Sequence, residues 1–248
     1  MSITEDWWRP FRTTSGVEVT HVDLRADAER ETAALSLLDG GEKAQWRRYL
    51  HPGPRRRFAL SRAALRTVVG RRLGCANEGI AFDLSPYGKP FALVQGMPAA
   101  ISFNISHSGD HGLIALAPAG SLGVDVEERS NHHDLDGPIA DVLGPDERSE
   151  LANACGDSKV HMFFRLWTIK EALIKALGTG HHTDVSAFQV PSNMRVGQDK
   201  GEFRFPHLPD VTWRLEDLGN SEFAAALAHE WRPATCSEPD SSNAHLTI

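Results

Sequence analysis

The chain has 248 residues, of which 41% are hydrophobic and 24% are charged, a composition typical of globular proteins. No apolar run approaches the roughly 18–20 residues that a membrane-spanning helix needs, and the acidic, aromatic first residues do not form a secretory signal. The three cysteines are far apart and form no CxxC pair, which supports neither a disulfide framework nor a zinc site, so we expect a cytoplasmic protein.

The net charge of −7 conceals two regions of opposite charge. Residues 43–72 contain ten basic residues and no acidic one, whereas residues 125–157 contain ten acidic and two basic residues. This division indicates a polyanion on one side and a metal or a basic partner on the other. The overall acidity and the lack of a basic tail argue against a nucleic acid as the polyanion.

In chain order, the first half is predicted to contain one strand, three helices and then several short strands. The helix over 55–73 carries many arginines, which form either a solvated surface or an anion-binding face. Ser106-His107-Ser108-Gly109 is predicted to be a tight, exposed turn. The predicted strands cover residues 17–24, 79–84, 90–94, 101–105 and 112–117, and the helices cover residues 28–38, 42–50 and 55–73.

The second half repeats this order of elements from about residue 121 onward. A strand is predicted over 121–127, two short helices within 131–160, a longer helix over 163–178, and strands over 185–190, 202–206, 211–217 and 222–229. We therefore expect an α+β fold of two similar halves, related by a pseudo-twofold axis, with a ligand cleft between them. We expect residues 1–120 to form the half with the basic, phosphate-binding face, residues 121–232 to form the half with a metal site, and residues 233–248 to form a flexible tail.

The helix predicted over 163–178 has two stripes at three- and four-residue steps. Its buried stripe consists of Met162, Leu166, Ile169, Leu173 and Leu177. Its polar stripe contains Thr168, Glu171 and Lys175, and the helix ends at Gly178, because glycine tolerates a positive φ. Taken alone, Glu171 and Lys175 are either an ordinary surface ion pair or part of a site.

The segment Gly123-Val124-Asp125-Val126-Glu127 has the two-residue period of a strand, which places Asp125 and Glu127 on one side. Two neighbouring carboxylates either face water or hold a cation between them. Glu171 could supply a third carboxylate from the helix, and three carboxylates with open positions suit Mg²⁺.

Other motifs narrow the choice of chemistry. Imidazole, hydroxyl and backbone N–H groups of Ser106-His107-Ser108 form either a plain polar turn or a phosphate-binding segment, to which Lys89 could add a point charge. The sequence contains no GxSxG elbow, Walker loop, GxGxxG or HExxH motif. The adjacent pairs His132-His133 and His181-His182 are weak metal candidates, because neighbouring residues on one element point apart.

The order of four motifs along the chain is more specific than any one of them. Tyr87-Gly88-Lys89-Pro90 is followed by Phe103-Asn104-Ile105-Ser106-His107-Ser108, then by the strand with Asp125 and Glu127, and then by Trp167-Thr168-Ile169-Lys170-Glu171-Ala172 with Lys175. This order resembles the 4′-phosphopantetheinyl transferases of the Sfp type over residues 43–190, and the length is similar to that of the monomeric kind with two halves.

The resemblance implies transfer of the 4′-phosphopantetheine group of coenzyme A to a serine hydroxyl of an apo acyl, peptidyl or aryl carrier protein, with release of 3′,5′-ADP. It also implies Mg²⁺ held by Asp125, Glu127 and Glu171, with neither nucleic acid nor membrane as a partner. The implied coenzyme A contacts are Arg57, Arg62, Lys89, Pro90, Ser106, His107, Lys170 and Lys175.

The resemblance leaves the proton acceptor open between Glu147, a metal-bound water and a carboxylate of the metal site. The chain departs from the family pattern at His181-His182-Thr183-Asp184, where the family has a leucine-containing segment. Two alternatives remain at this stage: a non-catalytic protein of the same fold that binds coenzyme A or a carrier, and a Mg²⁺-dependent nucleotide phosphohydrolase.

Overall fold

The computed structural model describes residues 7–129, 139, 141–180 and 183–231, and the elements named below lie within them. The strands are β1 (Trp8–Thr14), β2 (Val17–Asp23), β3 (Ile80–Leu84), β4 (Pro90–Val94), β5 (Met97–Pro98), β6 (Ser102–Ser108), β7 (His111–Ala117), β8 (Leu122–Glu128), β9 (Lys200–Phe203), β10 (Thr212–Asp217) and β11 (Phe223–Trp231). The α-helices are α1 (Ala28–Leu37), α2 (Gly40–Arg48), α3 (Pro52–Leu73), α4 (Pro145–Ala152), α5 (Gly156–Leu177) and α6 (Ser192–Arg195).

The described strands form two four-stranded sheets and one small sheet, and all their pairings are antiparallel. The first sheet has the order β1-β2-β7-β6, the second has the order β8-β11-β10-β9, and the small one has the order β3-β4-β5. Strands β6 and β8 therefore each lie at one edge of a larger sheet, and these two edges lie next to each other. This mixture of helices and antiparallel sheets confirms the predicted α+β class.

Apolar clusters on both faces of each larger sheet hold the layers together. One cluster joins α3 to the first sheet through Leu60, Ile114 and Leu116, and a second joins α5 to the second sheet through Leu173 and Ala226. A third cluster fills the space between the two sheets and includes Val19, Leu113, Val124, Val126 and Leu227. Because β8 buries its two valines in this third cluster, its alternate residues Asp125 and Glu127 face the other side.

The helix ends carry common capping signals, but α2 and α3 begin at Gly40 and Pro52, earlier than the predicted residues 42 and 55. Asp39 caps α2 in a capping box with Glu42, and α3 begins at Pro52, where the missing N–H costs no hydrogen bond. Helix α5 ends at Gly178, whose φ of 78° is the left-handed conformation expected of a C-terminal glycine. The helix begins seven residues before the predicted start, at Gly156.

The first sheet differs from the sequence prediction at two strands. Strand β1 was not predicted, because it is an edge strand whose pairing with β2 is interrupted by a bulge between Pro10 and Arg12. The predicted turn at Ser106-His107-Ser108 is instead the end of strand β6. Ser108 pairs with His111, and the turn between β6 and β7 consists of Gly109 and Asp110. This extension of β6 brings the serines alongside β8.

The prediction of a strand over residues 185–190 was also wrong, because the structure has no strand there. Asp184 accepts a hydrogen bond from the Ser186 N–H and starts a short 3₁₀ turn at Val185–Ala187. The carbonyl groups of Val185 and Phe188 bind Lys170 rather than a neighbouring strand. This segment therefore wraps around the side of α5.

The described part of the chain has no helix long and apolar enough to cross a membrane. Cys75 and Cys155 are free thiols. The histidine pairs at 132–133 and 181–182 and the predicted tail at 233–248 lie outside the described residues.

Candidate functional site

Polar side chains of β6, β8 and α5 meet where the two larger sheets adjoin. Ser106 donates a hydrogen bond to Asp125 Oδ1 at 2.8 Å. Lys175 Nζ lies 2.6 Å from the same Asp125 oxygen and 2.9 Å from Ser106 Oγ. Asp125 is only 3% exposed, so its charge depends on this ammonium group and hydroxyl rather than on water.

A second pair lies two residues further along both strands. Ser108 donates a hydrogen bond to Glu127 Oε2 at 2.6 Å. Burial raises the pKa of Glu127 above 4.5, and the nearby Asp125 acts in the same direction, while hydrogen bonds from Ser108 and Trp167 oppose it. The two serines therefore hold two neighbouring carboxylates of β8 from the edge of the other sheet.

Gly123 allows α5 to lie directly on this polar face of β8. A Cβ atom at position 123 would overlap the backbone carbonyl oxygen of Ala172 and approach the Cβ of Lys175 to 2.8 Å. Because backbone atoms cannot rotate away, any side chain there would push the helix, and with it Glu171 and Lys175, away from Asp125. Gly123 was not among the predicted site residues, and Ser108 was predicted only as part of a phosphate-binding segment, not as a partner of Glu127. Both residues share the two-residue period of the predicted ones.

A cavity of about 390 Å³ opens beside this polar junction. Its walls include Lys89 from the turn before β4, Pro90 at the start of β4, Ile105 from β6, and Glu171 and Lys175 from α5. The structure thus brings four predicted site residues, Lys89, Pro90, Glu171 and Lys175, to the wall of one cleft. The volume lies within the range of pockets that bind small molecules and cofactors.

The carboxylates of the cleft fit a divalent cation in one respect. Asp125 Oδ2 is buried and has no hydrogen-bond partner, so this carboxylate oxygen can still bind a cation. Glu127 lies beside it on the same face of β8, and Glu171 lines the cavity. Within residues 7–129, 139, 141–180 and 183–231, however, no three His, Cys, Asp or Glu side chains are grouped as a complete metal site.

Arg57 adds positive charge near the cleft, and His107 adds an imidazole. Burial lowers the pKa of His107 below 6.5, and the neighbouring cations Arg57 and Lys175 lower it further. An arrangement of two cations and an imidazole suits a phosphate group, as predicted for this face.

Lys170 and Glu147 do not fit their predicted roles as a pyrophosphate contact and a proton acceptor. Both side chains are completely buried, with Lys170 Nζ 2.6 Å from Glu147 Oε2. Lys170 also donates to the carbonyl groups of Val142, Val185 and Phe188, while Glu147 accepts from the N–H groups of Gly144 and Val190. Burial lowers the pKa of Lys170, and the Glu147 carboxylate opposes that shift. This pair joins α4, α5 and the segment after α5.

Arg62 does not fit its predicted role as a coenzyme A contact either. Its Nε lies 3.6 Å from Glu42 Oε1, and its guanidinium lies 5.0 Å from the centre of the Phe82 ring. Arg66, one turn later, is 2% exposed and binds Asp39 and Glu42. Part of the basic face is therefore neutralised by acidic residues that precede it in the chain.

Lys89 lines the cavity, but its ammonium group is already engaged. Its Nζ donates to the carbonyl groups of Leu122 at 2.9 Å, Lys175 at 2.8 Å and Ala176 at 3.2 Å. Burial lowers the pKa of Lys89 to about 8. Its predicted role as a point charge for phosphate is thus unsupported in this structure, whereas Pro90 remains a wall residue.

Comparison with known sequences matches the chain in two parts. Residues 121–228 match the family described as the 4′-phosphopantetheinyl transferase superfamily, and residues 25–119 match the 4′-phosphopantetheinyl transferase N-terminal family. The boundary between the matches lies at residue 120, between the strands of the first sheet and β8.

Individual relatives agree with the family matches. The slr0495 protein of Synechocystis, which has the provisional name of a 4′-phosphopantetheinyl transferase, is 32% identical over 184 residues, or 73% of this chain and 71% of that protein. HetI of Nostoc is 34% identical over 58% of this chain and 61% of its own length. Sfp of Bacillus subtilis is 28% identical over 84% of this chain and 90% of its own length. The chain therefore belongs to the Sfp type of the 4′-phosphopantetheinyl transferase superfamily.

Proposed function

We propose that this transferase uses Mg²⁺ to move the 4′-phosphopantetheine group of coenzyme A onto a serine hydroxyl of an apo acyl, peptidyl or aryl carrier protein. The observation that carries the proposal is the meeting of Lys175, Asp125 and Ser106 at the cavity that Glu171 also lines. The family membership and the names of the relatives support the same activity. The active form is proposed to be a cytoplasmic monomer, with neither nucleic acid nor membrane as a partner.

Asp125, Glu127 and Glu171 are the proposed Mg²⁺ ligands. The buried, unpartnered Asp125 Oδ2 supports the first of these assignments. When bound, the cation would neutralise charge on the pyrophosphate oxygens. Lys175 supplies a fixed positive charge at the same place, which stabilises the additional negative charge of the transition state.

The serine oxygen of the carrier forms a bond to the β-phosphorus of coenzyme A, and the bond from that phosphorus to the bridging oxygen breaks. The leaving group departs as 3′,5′-ADP, and the serine proton passes to a base. Because Glu147 is buried in its pair with Lys170, we assign the base to a carboxylate that lines the cleft, and Glu171 lies on the cavity wall. His107, Arg57 and Ser106 are the proposed contacts to the coenzyme A phosphates.

Intact-mass spectrometry tests this activity directly. The protein is incubated with Mg²⁺, coenzyme A and a panel of apo carrier proteins, with EDTA and a carrier that lacks the acceptor serine as controls. We expect the carrier to gain the mass of one phosphopantetheine, except in the two controls. A complete absence of mass gain across the panel would contradict the transferase, and release of phosphate without a carrier would instead support nucleotide hydrolysis.

A further inference from the structure

The side chain of Lys89 connects the turn between β3 and β4 of the small sheet to the end of helix α5. Its backbone is fixed in a turn in which Ser85 N–H donates to Lys89 O and Lys89 N–H donates to Ser85 Oγ. From this turn the side chain passes Gly178, where an added Cβ atom would lie 3.4 Å from Lys89 Cδ. The ammonium group is therefore anchored at Lys175 O, 86 residues after Lys89 in the sequence.

The three acceptors of Lys89 are carbonyl groups that the secondary structure leaves available. Lys175 O and Ala176 O belong to the last turn of α5, where carbonyl groups have no partner within the helix. Leu122 O lies at the first residue of β8. A cation at the end of a helix also interacts favourably with the helix dipole. Lys89 thus ties the end of α5 to the start of β8.

Lys175 is held at both ends by this arrangement. Its backbone carbonyl accepts from Lys89, while its side chain binds Asp125 and Ser106. The distance between the last turn of α5 and β8 sets where the Lys175 ammonium group lies. A change in the Lys89 contact therefore moves a group that the proposed transfer depends on.

We propose that Lys89 is a positioning residue, which fixes the last turn of α5 on β8 and so holds Lys175 against Asp125, rather than a ligand of the coenzyme A phosphates. The expected change in kcat rests on the proposed function, whereas the expected change in the contact between α5 and β8 does not depend on activity. An ammonium group has three N–H donors, and the three carbonyl groups use all of them. The lowered pKa of Lys89 agrees with a group removed from solvent.

Two substrates separate positioning from phosphate binding. Coenzyme A and 3′-dephospho-coenzyme A are compared with the wild type and Lys89→Met, by steady-state transfer and by calorimetric Kd. A positioning residue predicts that kcat falls about tenfold or more with both substrates, while the Kd of each stays within about twofold. A tenfold weaker Kd for coenzyme A with little change in kcat would overturn the proposal. Arg57→Met is the matched control, and we expect it to weaken coenzyme A more than the dephospho compound.

Amide hydrogen exchange gives a readout that requires no catalysis. In Lys89→Met we expect peptides that cover residues 173–178 to exchange about tenfold faster, while peptides from α3 exchange at the wild-type rate. Unchanged exchange over 173–178 would overturn the positioning role. If the wild type transfers nothing to any carrier, the proposed function fails, yet this experiment still decides the role of Lys89.

Lys89→Arg keeps the charge and covers the case in which Lys89→Met does not fold. A planar guanidinium has a fixed donor geometry and cannot point three N–H groups at the three carbonyl groups as an ammonium does. We expect faster exchange over 173–178 and a lower kcat, with the Kd for coenzyme A unchanged. If Lys89→Arg kept the wild-type kcat and the wild-type rate of amide exchange, the positioning role would be contradicted. Arginine could preserve a contact to phosphate but not the three contacts to carbonyl groups.

Discussion

Helix α5 carries two lysine–carboxylate pairs with the same N–O distance and different surroundings. Lys170 and Glu147 lie 2.6 Å apart with both side chains completely buried. Lys175 and Asp125 also lie 2.6 Å apart, but Lys175 is 28% exposed and faces the cavity. All hydrogen-bonding positions at the first pair are used within the protein, whereas Asp125 Oδ2 of the second pair has no partner. An ion pair becomes a candidate for chemistry when it keeps an open position toward a cavity.

Lys170→Met should have the largest effect, and the effect should be on stability. The substitution leaves Glu147 as a buried carboxylate without a cation, which costs about 3–5 kcal/mol. We expect urea denaturation to show this loss in the free energy of unfolding, and the Tm to fall by roughly 10 °C. Lys175→Met is the comparison variant and should lose less stability than Lys170→Met, because Lys175 is 28% exposed and Asp125 keeps the hydrogen bond from Ser106.

The double variant Glu147→Gln/Lys170→Met tests the cause of this loss. Since it leaves no uncompensated charge, it should be more stable than Lys170→Met alone. Transfer by the folded Lys170→Met protein at low temperature should stay close to the wild-type rate. A protein of wild-type stability that transfers nothing would show instead that Lys170 acts in the reaction.

The sequence distinguishes these two lysines only in part. The helical period places Lys175 on the polar stripe with Glu171 and leaves Lys170 outside both stripes, which predicts different faces. The burial of Lys170 depends on carbonyl groups of Val142, Val185 and Phe188, which reach it from segments without a periodic pattern. Local sequence carries no signal for such contacts, so the role of Lys170 was predicted incorrectly.

The same limit applies to the strands and to the arginines. The order of elements was enough to predict the fold class. The extension of β6 through Ser108 depends on pairing with β7, and the polar residues Ser106, His107 and Ser108 have no apolar alternation that would predict a strand. The absence of acidic residues over 43–72 predicted a free cationic face. Arg62 and Arg66 instead meet Glu42, which lies one residue before that stretch. Neighbours in space, rather than neighbours in sequence, decide which charges remain available.

Asp125→Asn should have the largest effect on the open pair. The substitution keeps the shape and an acceptor for Ser106 and Lys175 but removes the negative charge beside the cavity. We expect kcat for transfer to fall about 10²–10³-fold, while the Kd for coenzyme A changes less than about threefold. Asp146→Asn is a suitable control, because Asp146 is 64% exposed and lies 3.8 Å from Arg195 on the surface. Near-normal transfer by Asp125→Asn would remove Asp125 from the site.

His21 extends the comparison to a buried group without a carboxylate in contact. Its Nε2 lies 3.1 Å from His111 Nδ1, and its ring stacks on Phe223. Burial lowers the pKa of His21 from 6.5 to about 4; His111 and Arg9 add to this shift, and Asp23 and Glu222 oppose it. Lys170 gains a carboxylate when it is buried, whereas His21 gains an imidazole and stays neutral at pH 7.

This difference predicts an acid-sensitive stability. Between pH 6.5 and about 4 the unfolded chain binds a proton at His21 and the folded protein does not, so stability falls as the pH falls through this range. The full loss from this residue is about 3 kcal/mol. Urea denaturation at pH 7 and pH 5 should show part of it in the wild type and less in His21→Phe. The same pH dependence in both proteins would contradict the assignment.

Ser108→Ala should give the smallest effect, because it removes one contact from the open site and no charge. Ser108 donates to Glu127 Oε2 at 2.6 Å, and hydrogen bonds to charged groups contribute about 1.5–3 kcal/mol. Glu127 is held by Trp167 as well, so we expect only part of this energy to appear, as a three- to tenfold lower kcat. Ser108→Thr keeps the hydroxyl group and suits a strand, and it should retain most of the activity. Equal losses in the two variants would mean that packing at the end of β6, rather than the hydrogen bond to Glu127, sets the rate.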